Sequence, residues 1–386
     1  MESLKKDFIY LLSCFLNGKN PESREYDWAG IYHLADINDV AAIVAFLIKS
    51  VGKDYQPDSD THQYYKKSMA QAIASYEEKT LAYKYVTSVL KKRGIDFIAL
   101  KGIVVRELYP VREFRTSGDI DLTVKKTQLE TAYDAFKNEN SKILAYNAGA
   151  FVFKADGVTV EIHDSADLLT DYFDDMFAFA NGETLDEYSH LLYVLCHLVK
   201  HLAYRGAGVR MLMDIDVMIR SIEEFDCAKF FEMCEKAGVL KSAKVLLSLS
   251  KLWFGTAVET GYEISADLER NLETVLIDGG SFGYEMSFVP LKYLRKASSG
   301  GGELSSSDKV KIALSMAFPN REYLKKCYRY YEKHGALYPV AVANRLADSV
   351  FKKRKSSKGA LTQIFTDPDS AAAQIELAKE LGIGDE

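Results

Sequence analysis

The chain has 386 residues, a length that favours two or three packed units over one small core. Hydrophobic residues make up 48% and charged residues 27% of it, which is ordinary for a globular protein and excludes disordered or collagen-like classes. The net charge of −6 argues against a dedicated nucleic-acid binder, because a phosphate backbone requires a basic surface.

The cysteines and the apolar runs of the sequence indicate the cellular compartment in which the protein is expected to act. The five cysteines are scattered and lack CxxC spacing, so we expect neither a disulfide framework nor a zinc ribbon, and a reducing cytoplasm fits best. The N-terminal apolar run is short and closely flanked by charges, which favours an amphipathic helix over a signal peptide. No apolar run approaches the ~18 residues that a membrane span requires.

Residues 1–90 are predicted to form an N-terminal helical region. Apolar residues from Ile31 to Leu47 recur at three- and four-residue steps, which predicts one apolar stripe along a helix. The same pattern continues from residue 68, and Gly94 is expected to end that helix.

Residues 91–166 have the pattern of a compact α+β unit. A helix is predicted over 128–139, with Thr127 as its N-cap. Short strands are predicted before and after it, at IDFIAL, GDIDLTV, KILAYN, FVFKA and VTVEIHD. We therefore expect a small mixed β-sheet core with helices.

The remainder of the chain is predicted to be helical again. We expect a C-terminal helical region over 167–355, interrupted by a flexible Gly- and Ser-rich loop at 297–308, and a loosely attached tail over 356–386. The basic stretch 321–358 is predicted to be a solvated helix face and tail, with a patch for an anionic acceptor as the alternative. The predicted fold class is thus α+β, with helical regions flanking the core.

Carboxylates occupy two of the predicted strands, although aspartate is depleted in strands. Because side chains alternate between the two faces, Asp119 and Asp121 share one face while Ile120 lies on the other. Glu161 has the same placement in VTVEIH. If the two strands are neighbours, the three carboxylates converge; the alternative is that they are ordinary turn and surface residues.

Three close carboxylates repel one another and resist ionisation, and divalent cations remove that repulsion. Mg²⁺ prefers oxygen ligands and completes its shell with substrate phosphates. Two such ions about 3.5–4 Å apart activate an attacking hydroxyl and stabilise a leaving oxygen. The sequence therefore predicts a two-metal site at Asp119, Asp121 and Glu161, with Mg²⁺ as the expected ion and Mn²⁺ as the alternative.

The run ALKGIVVRELYPVREFRTSGDIDLTV, with VEIH further along the chain, resembles the bacterial uncharacterised nucleotidyltransferase family of the polymerase-beta-like superfamily. That family continues into a helix with His-x-x-x-His and a helix with Asp, which appear here as His197, His201 and Asp214. The resemblance covers about residues 25–350. It implies the fold and the metal site but does not identify an acceptor. Our first hypothesis is transfer of a nucleoside monophosphate from NTP to a hydroxyl of a small-molecule or protein acceptor.

The turn after the first strand departs from the superfamily, which has Gly-Ser or Gly-Gly there to hold the triphosphate. Gly102 permits close backbone approach at a helix start, and Lys101 is expected to supply the missing favourable charge. Arg115, Ser117 and Gly118 enter the aspartate strand and are further candidates for nucleotide binding. For Lys101, Arg115 and Ser117 the alternatives are a solvated lysine, a surface salt bridge and a turn hydroxyl.

Three histidines and one aspartate are candidates for lining the pocket. His163 is expected to contact phosphate or to orient Glu161. His197 and His201 lie four residues apart, a spacing that suits zinc, but they lack a third ligand; buried helix histidines are favoured over pocket residues. Asp214 is a pocket candidate, with a cap or salt bridge as the alternative.

We favour a Mg²⁺-dependent nucleotidyltransferase over a non-catalytic nucleotide-binding module that acts with a partner protein. The carboxylate trio favours the enzyme, and the missing Gly-Ser turn favours the module. A two-metal nuclease or phosphohydrolase is a third hypothesis. It is weakened by the acidic balance and by His163, which stands where such enzymes have a lysine.

Overall fold

A computed structural model describes residues 2–139, 141–147, 149–166, 168–204 and 206–281, parts of 307–337, and then 338–351 and 368–383. The predicted loop at 297–308, much of the basic stretch at 321–358 and the first part of the predicted tail lie outside the described residues. No helix in the described part of the chain has both the length and the hydropathy needed to cross a membrane.

Helices form the N-terminal region, as predicted, and they are α1 (Glu2–Leu16), α2 (Trp28–Ile37), α3 (Ala41–Ile48) and α4 (Ser59–Lys92). Helix α4 begins where the Asp58 side chain accepts the backbone N–H groups of Asp60 and Thr61. It ends just before Gly94, whose φ of 64° is left-handed. The predicted end of this helix is therefore confirmed.

The predicted single stripe from Ile31 to Leu47 is wrong in one respect, because a turn divides it into α2 and α3. Asp39 adopts a φ of 56° at the break. The buried Asn38 amide donates to the carbonyl of Leu34 at 2.9 Å and to that of Ile277 at 2.8 Å. Asparagine side chains that bind nearby carbonyls compete with the helix, which apolar periodicity alone does not reveal.

The central unit is a five-stranded sheet, and the predicted α+β class is confirmed. Its strands are β1 (Phe97–Leu100), β2 (Asp119–Val124), β3 (Lys142–Asn147), β4 (Ala150–Ala155) and β5 (Val158–His163), in the spatial order β1-β2-β5-β4-β3. Strands β2 and β5 are parallel and the other pairs are antiparallel, so the sheet is mixed.

Two short helices connect the strands of this sheet. Helix α5 (Gly102–Val105) follows β1, and α6 (Leu129–Asn138) follows β2. The predicted cap of α6 is wrong: a 3-10 turn over Lys126–Gln128 precedes the helix, and Gln128 is its N-cap without a side-chain bond.

The sheet buries its two faces differently. Ile120 and Leu122 belong to a core formed with α4 and α6. On the opposite face, Ile98 and Leu100 of β1 join a larger core that contains α1–α3 and helices from the C-terminal region. Because Leu100 pairs with Asp121 across β1 and β2, the carboxylate face of the sheet continues into this larger core.

Helices also fill the C-terminal region, after a small hairpin of β6 (Ala180–Asn181) and β7 (Thr184–Leu185). The helices with described bounds are α7 (Glu187–Tyr204), α8 (Val209–Ser221), α9 (Cys227–Lys236), α10 (Leu240–Phe254), α11 (Ala266–Glu273), α12 (Tyr338–Phe351) and α13 (Pro368–Leu381).

Candidate functional site

The carboxylates of β2 and β5 lie on the same face of the sheet, because the parallel register pairs Asp121 with Glu161 and Thr123 with His163. Asp121 is buried, whereas Glu161 and His163 are partly exposed. Asp119, at the first position of β2, is two residues before Asp121 and so shares its face.

Asp121, Glu161 and His163 form a group whose potential ligand atoms all lie within 4.8 Å of one another. The His163 Nε2 atom is 3.6 Å from Asp121 Oδ1 and 3.4 Å from Glu161 Oε2. Asp119 lies outside this group, so the structure gathers two of the three predicted carboxylates together with a histidine. Carboxylate oxygens suit Mg²⁺ and also Mn²⁺.

A lysine already compensates the central carboxylate. The Lys101 ammonium lies 3.0 Å from Asp121 Oδ1, and the side chains of Lys101 and Asp121 are 20% and 8% exposed. Burial acts to raise the pKa of Asp121, but the charges of Lys101 and His163 outweigh it and lower that pKa. Lys101 was expected to reach phosphate; the structure instead places its ammonium on the carboxylate.

Repulsion among the carboxylates mainly affects the ionisation of Asp119. Burial raises the pKa of Asp119, and the neighbouring charges of Asp121 and Glu161 raise it further. The expectation that every carboxylate of the trio resists ionisation is thus correct for Asp119 and wrong for Asp121. The difference arises because Lys101 directly contacts only Asp121 of this pair.

His163 is a second counter-charge in the same group. Burial acts to lower the pKa of His163, but its interactions with Asp121 and Glu161 prevail and raise the pKa to about 9. The imidazole therefore carries a proton at neutral pH and faces both carboxylates. This geometry matches a residue that orients Glu161.

The turn that carries Lys101 is strained. Lys101 has φ of 52° and ψ of −127°, a conformation that favours glycine, and α5 begins at the next residue. Its backbone N–H donates to Nε2 of His190 on α7 at 3.3 Å. Burial lowers the pKa of His190 to about 4, which keeps the ring neutral and able to accept. Sequence reasoning missed His190, although it lies seven residues before His197 and hence on the same helix face.

Gly102 is required by close packing of the loop that precedes β2. A Cβ atom at Gly102 would lie 2.4 Å from Nη1 of Arg115 and 3.0 Å from Cβ of Ser117. Gly118 has open space instead, with nothing within 4 Å of an added Cβ. The structure thus brings Gly102, Arg115 and Ser117 together beside Lys101.

Arg115 and Asp214, which the sequence presented as separate candidates, form one buried ion pair. Asp214 Oδ1 accepts from Arg115 Nε at 3.1 Å and from the Tyr109 hydroxyl at 2.7 Å. Asp214 Oδ2 lies 2.5 Å from Arg115 Nη2. The salt-bridge alternative for Asp214 therefore describes its observed contacts, and the pair attaches the loop before β2 to helix α8.

One face of helix α7, which contacts the turn of Lys101 through His190, carries further aromatic and imidazole rings. Tyr193 and His197 have parallel rings with centroids 6.4 Å apart, and His197 and His201 have centroids 4.5 Å apart. Burial lowers the pKa of His197, and the nearby charge of Lys101 lowers it further. His197 is consequently neutral and close to the Lys101–Asp121 pair.

Comparison with known proteins agrees with this geometry. The model of a family described as "Uncharacterised nucleotidyltransferase" matches residues 24–255. Because this span is more than half of the chain, the chain belongs to that family. No curated protein and no solved structure matches the chain.

Replacing Gly102 by alanine tests the packing of the loop before β2. We expect Gly102→Ala to destabilise the protein by about 1–3 kcal/mol, because the new methyl group overlaps a guanidinium that Asp214 holds in place. Gly118→Ala is the matched control and is expected to be nearly neutral. Urea unfolding measures both, and equal stability of the two variants would contradict the analysis.

Replacing Lys101 tests the strain of its turn. Lys101→Gly and Lys101→Ala both remove the ammonium, but only glycine relieves the positive φ, so we expect the glycine variant to be more stable by about 1 kcal/mol. At Lys84, on the exposed side of helix α4, the order should be reversed, since glycine weakens a helix. A more stable alanine variant at both positions would show that the turn of Lys101 is not strained.

Proposed function

We propose that this member of the uncharacterised nucleotidyltransferase family moves a nucleoside monophosphate from NTP to a hydroxyl of a small-molecule or protein acceptor. In this reaction the acceptor oxygen bonds to the α-phosphorus and the hydroxyl proton leaves to solvent. The bond from the α-phosphorus to its bridging oxygen breaks, and pyrophosphate departs with the electron pair. The observation that carries the proposal is the in-register pairing of Asp121 with Glu161 on one face of the sheet.

The proposed metal ligands are Asp119, Asp121 and Glu161. Divalent cations, when bound, lower the pKa of a hydroxyl and stabilise charge on a leaving oxygen, which is the chemistry this transfer requires. Asp121 and Glu161 contribute converging oxygen atoms, and Asp119 lies at the start of the same strand. Mg²⁺ is the ion that carboxylates and phosphates favour, with Mn²⁺ as the alternative.

The remaining candidates have positioning roles in this proposal. Lys101 neutralises Asp121 and His163 orients Glu161, so that two buried or half-buried carboxylates are held close together before any ligand arrives. Gly102 lets the loop of Arg115 and Ser117 lie against the turn of Lys101. This loop leads directly into Asp119.

The acceptor side of the site is proposed to lie beneath helix α7. His197 presents a neutral ring near the Lys101–Asp121 pair, with His201 beside it on the same helix, which suits hydrogen bonding to hydroxyl groups. We propose residues 91–166 as the catalytic core and the helical regions 1–90 and 167–355 as its surroundings. The tail at 356–386 has no role in this proposal.

A non-catalytic nucleotide-binding module that acts with a partner protein is the second candidate function. The observation in its favour is that Lys101 and His163 already compensate Asp121 and Glu161 without a metal ion. Such compensation stabilises a carboxylate group whether or not it binds cations.

Labelled nucleotides distinguish the two functions. The wild-type protein, NTP labelled at the α- or the γ-phosphate, Mg²⁺ and a desalted cell extract would be incubated together. We expect the α label alone to move onto a new species, small or protein-sized, and we expect chelation of Mg²⁺ to stop the transfer. Asp121→Asn should reduce the transfer at least about 100-fold, the magnitude typical of lost charge stabilisation in catalysis.

Asp134→Asn is the matched control, because Asp134 is exposed on α6 away from the carboxylate face. It should leave the transfer unchanged. Binding of NTP without movement of the α label would favour the non-catalytic module, and Asp121-dependent transfer of the γ label without the α label onto a new species would contradict nucleotidyl transfer.

A further inference from the structure

Helix α4 passes beside the turn and the loop that lead to Asp119. Arg106, which directly follows α5, donates from Nη2 to the hydroxyl of Thr80 at 2.9 Å and from Nη1 to the carbonyl of Tyr76 at 3.4 Å. The α4 segment around Thr80 is therefore fixed against the end of the short helix that begins at Gly102.

Lys79 lies on this segment of α4 and is half-buried. Burial lowers the pKa of its ammonium, whereas the charge of Glu78 and, after it, that of Asp119 act to raise this pKa. Lys79 directly precedes Thr80, the residue that Arg106 binds, so it lies on the part of α4 that packs beside the loop leading to Asp119. Lys79 was not recognised in the sequence, because a lysine on a long polar helix is ordinarily a solvated residue.

The other cationic side chains of this region each form an ion pair with a carboxylate. Lys101 pairs with Asp121 and Arg115 with Asp214. Arg210 pairs with Asp39, and Arg106 with Glu107.

Lys79 instead donates to the hydroxyl of Ser75 at 2.5 Å. Among the residues that the structure describes, no carboxylate forms an ion pair with its ammonium. The exposed Glu78 carboxylate favours this ammonium without forming an ion pair with it, so the desolvation of Lys79 is compensated only in part, and an anionic ligand supplies what is missing.

A nucleotide whose α-phosphate lies at the carboxylates must also place two further phosphates nearby. From the sequence, Lys101 was expected to supply the positive charge that these phosphates require, but its ammonium is engaged by Asp121. The short helix α5 has only four residues and is no substitute for a cation. A lysine acts as a point charge that can approach phosphate from several directions.

We propose that Lys79 binds the β- and γ-phosphates of NTP and the pyrophosphate that leaves, in the role that the turn after β1 was expected to have. This inference rests on the proposed function, because it takes Asp119 and Asp121 as the place of the reacting phosphate. The N-terminal helical region then contributes directly to the nucleotide site.

Calorimetric titration with Mg²⁺ present tests this assignment. The probes are ATP, GTP, CTP and UTP, the monophosphate of whichever triphosphate binds, and inorganic pyrophosphate. Lys79→Ala should weaken triphosphate and pyrophosphate binding by about 10- to 100-fold, the range of a charge-assisted contact, and leave monophosphate binding unchanged. Lys79→Arg should restore part of the loss, and Lys84→Ala, at an exposed position of the same helix, should have no effect.

Lys79→Gln, which preserves most of the side-chain length, is measured in parallel and should match the alanine variant. If it binds triphosphate and pyrophosphate as tightly as the wild type, Lys79 is not a phosphate ligand. Equal losses for triphosphate and monophosphate would also overturn the inference. If Asp121→Asn abolishes binding while both neutral Lys79 variants retain it, only the Lys79 assignment is wrong. Failure of the wild type to bind any triphosphate would contradict the proposed function and this inference with it.

Discussion

The candidate site depends on how a buried carboxylate is kept ionised at the centre of a sheet. Asp121 is 7% exposed and would be costly to bury alone. Lys101 at 3.0 Å and His163 at 3.6 Å compensate it. Since Asp121 is also in register with Glu161, the same contacts that make its burial tolerable hold a pair of oxygen donors together.

The surrounding architecture maintains this compensation. Lys101 reaches Asp121 from a strained turn, and the neutral imidazole of His190 accepts the backbone N–H of that turn. The next loop is attached to α8 by the Arg115–Asp214 ion pair. Two helices of the C-terminal region therefore fix the conformation of a turn and a loop that belong to the central sheet.

The alternation of apolar and polar residues correctly predicted the strands and the carboxylate face. This alternation is a local property, which GDIDLTV and VTVEIH display whatever strands lie beside them. The pairing of Asp121 with Glu161 was a conditional expectation that depended on the strands being adjacent, which the parallel register satisfies. The counter-charges were not predictable in the same way. Lys101 and His163 compensate Asp121 only after the chain has folded, and His190 contacts a residue 89 positions away.

A crystal of the protein grown with Mn²⁺ and a non-hydrolysable NTP would provide the most direct measurement, because Mn²⁺ scatters anomalously. We expect anomalous peaks between the triphosphate and the carboxylates of Asp121 and Glu161, separated by about 3.5–4 Å if two ions bind. A bound triphosphate far from these carboxylates, or Mn²⁺ coordinated elsewhere with the Lys101–Asp121 pair unchanged, would contradict the assignment of this site.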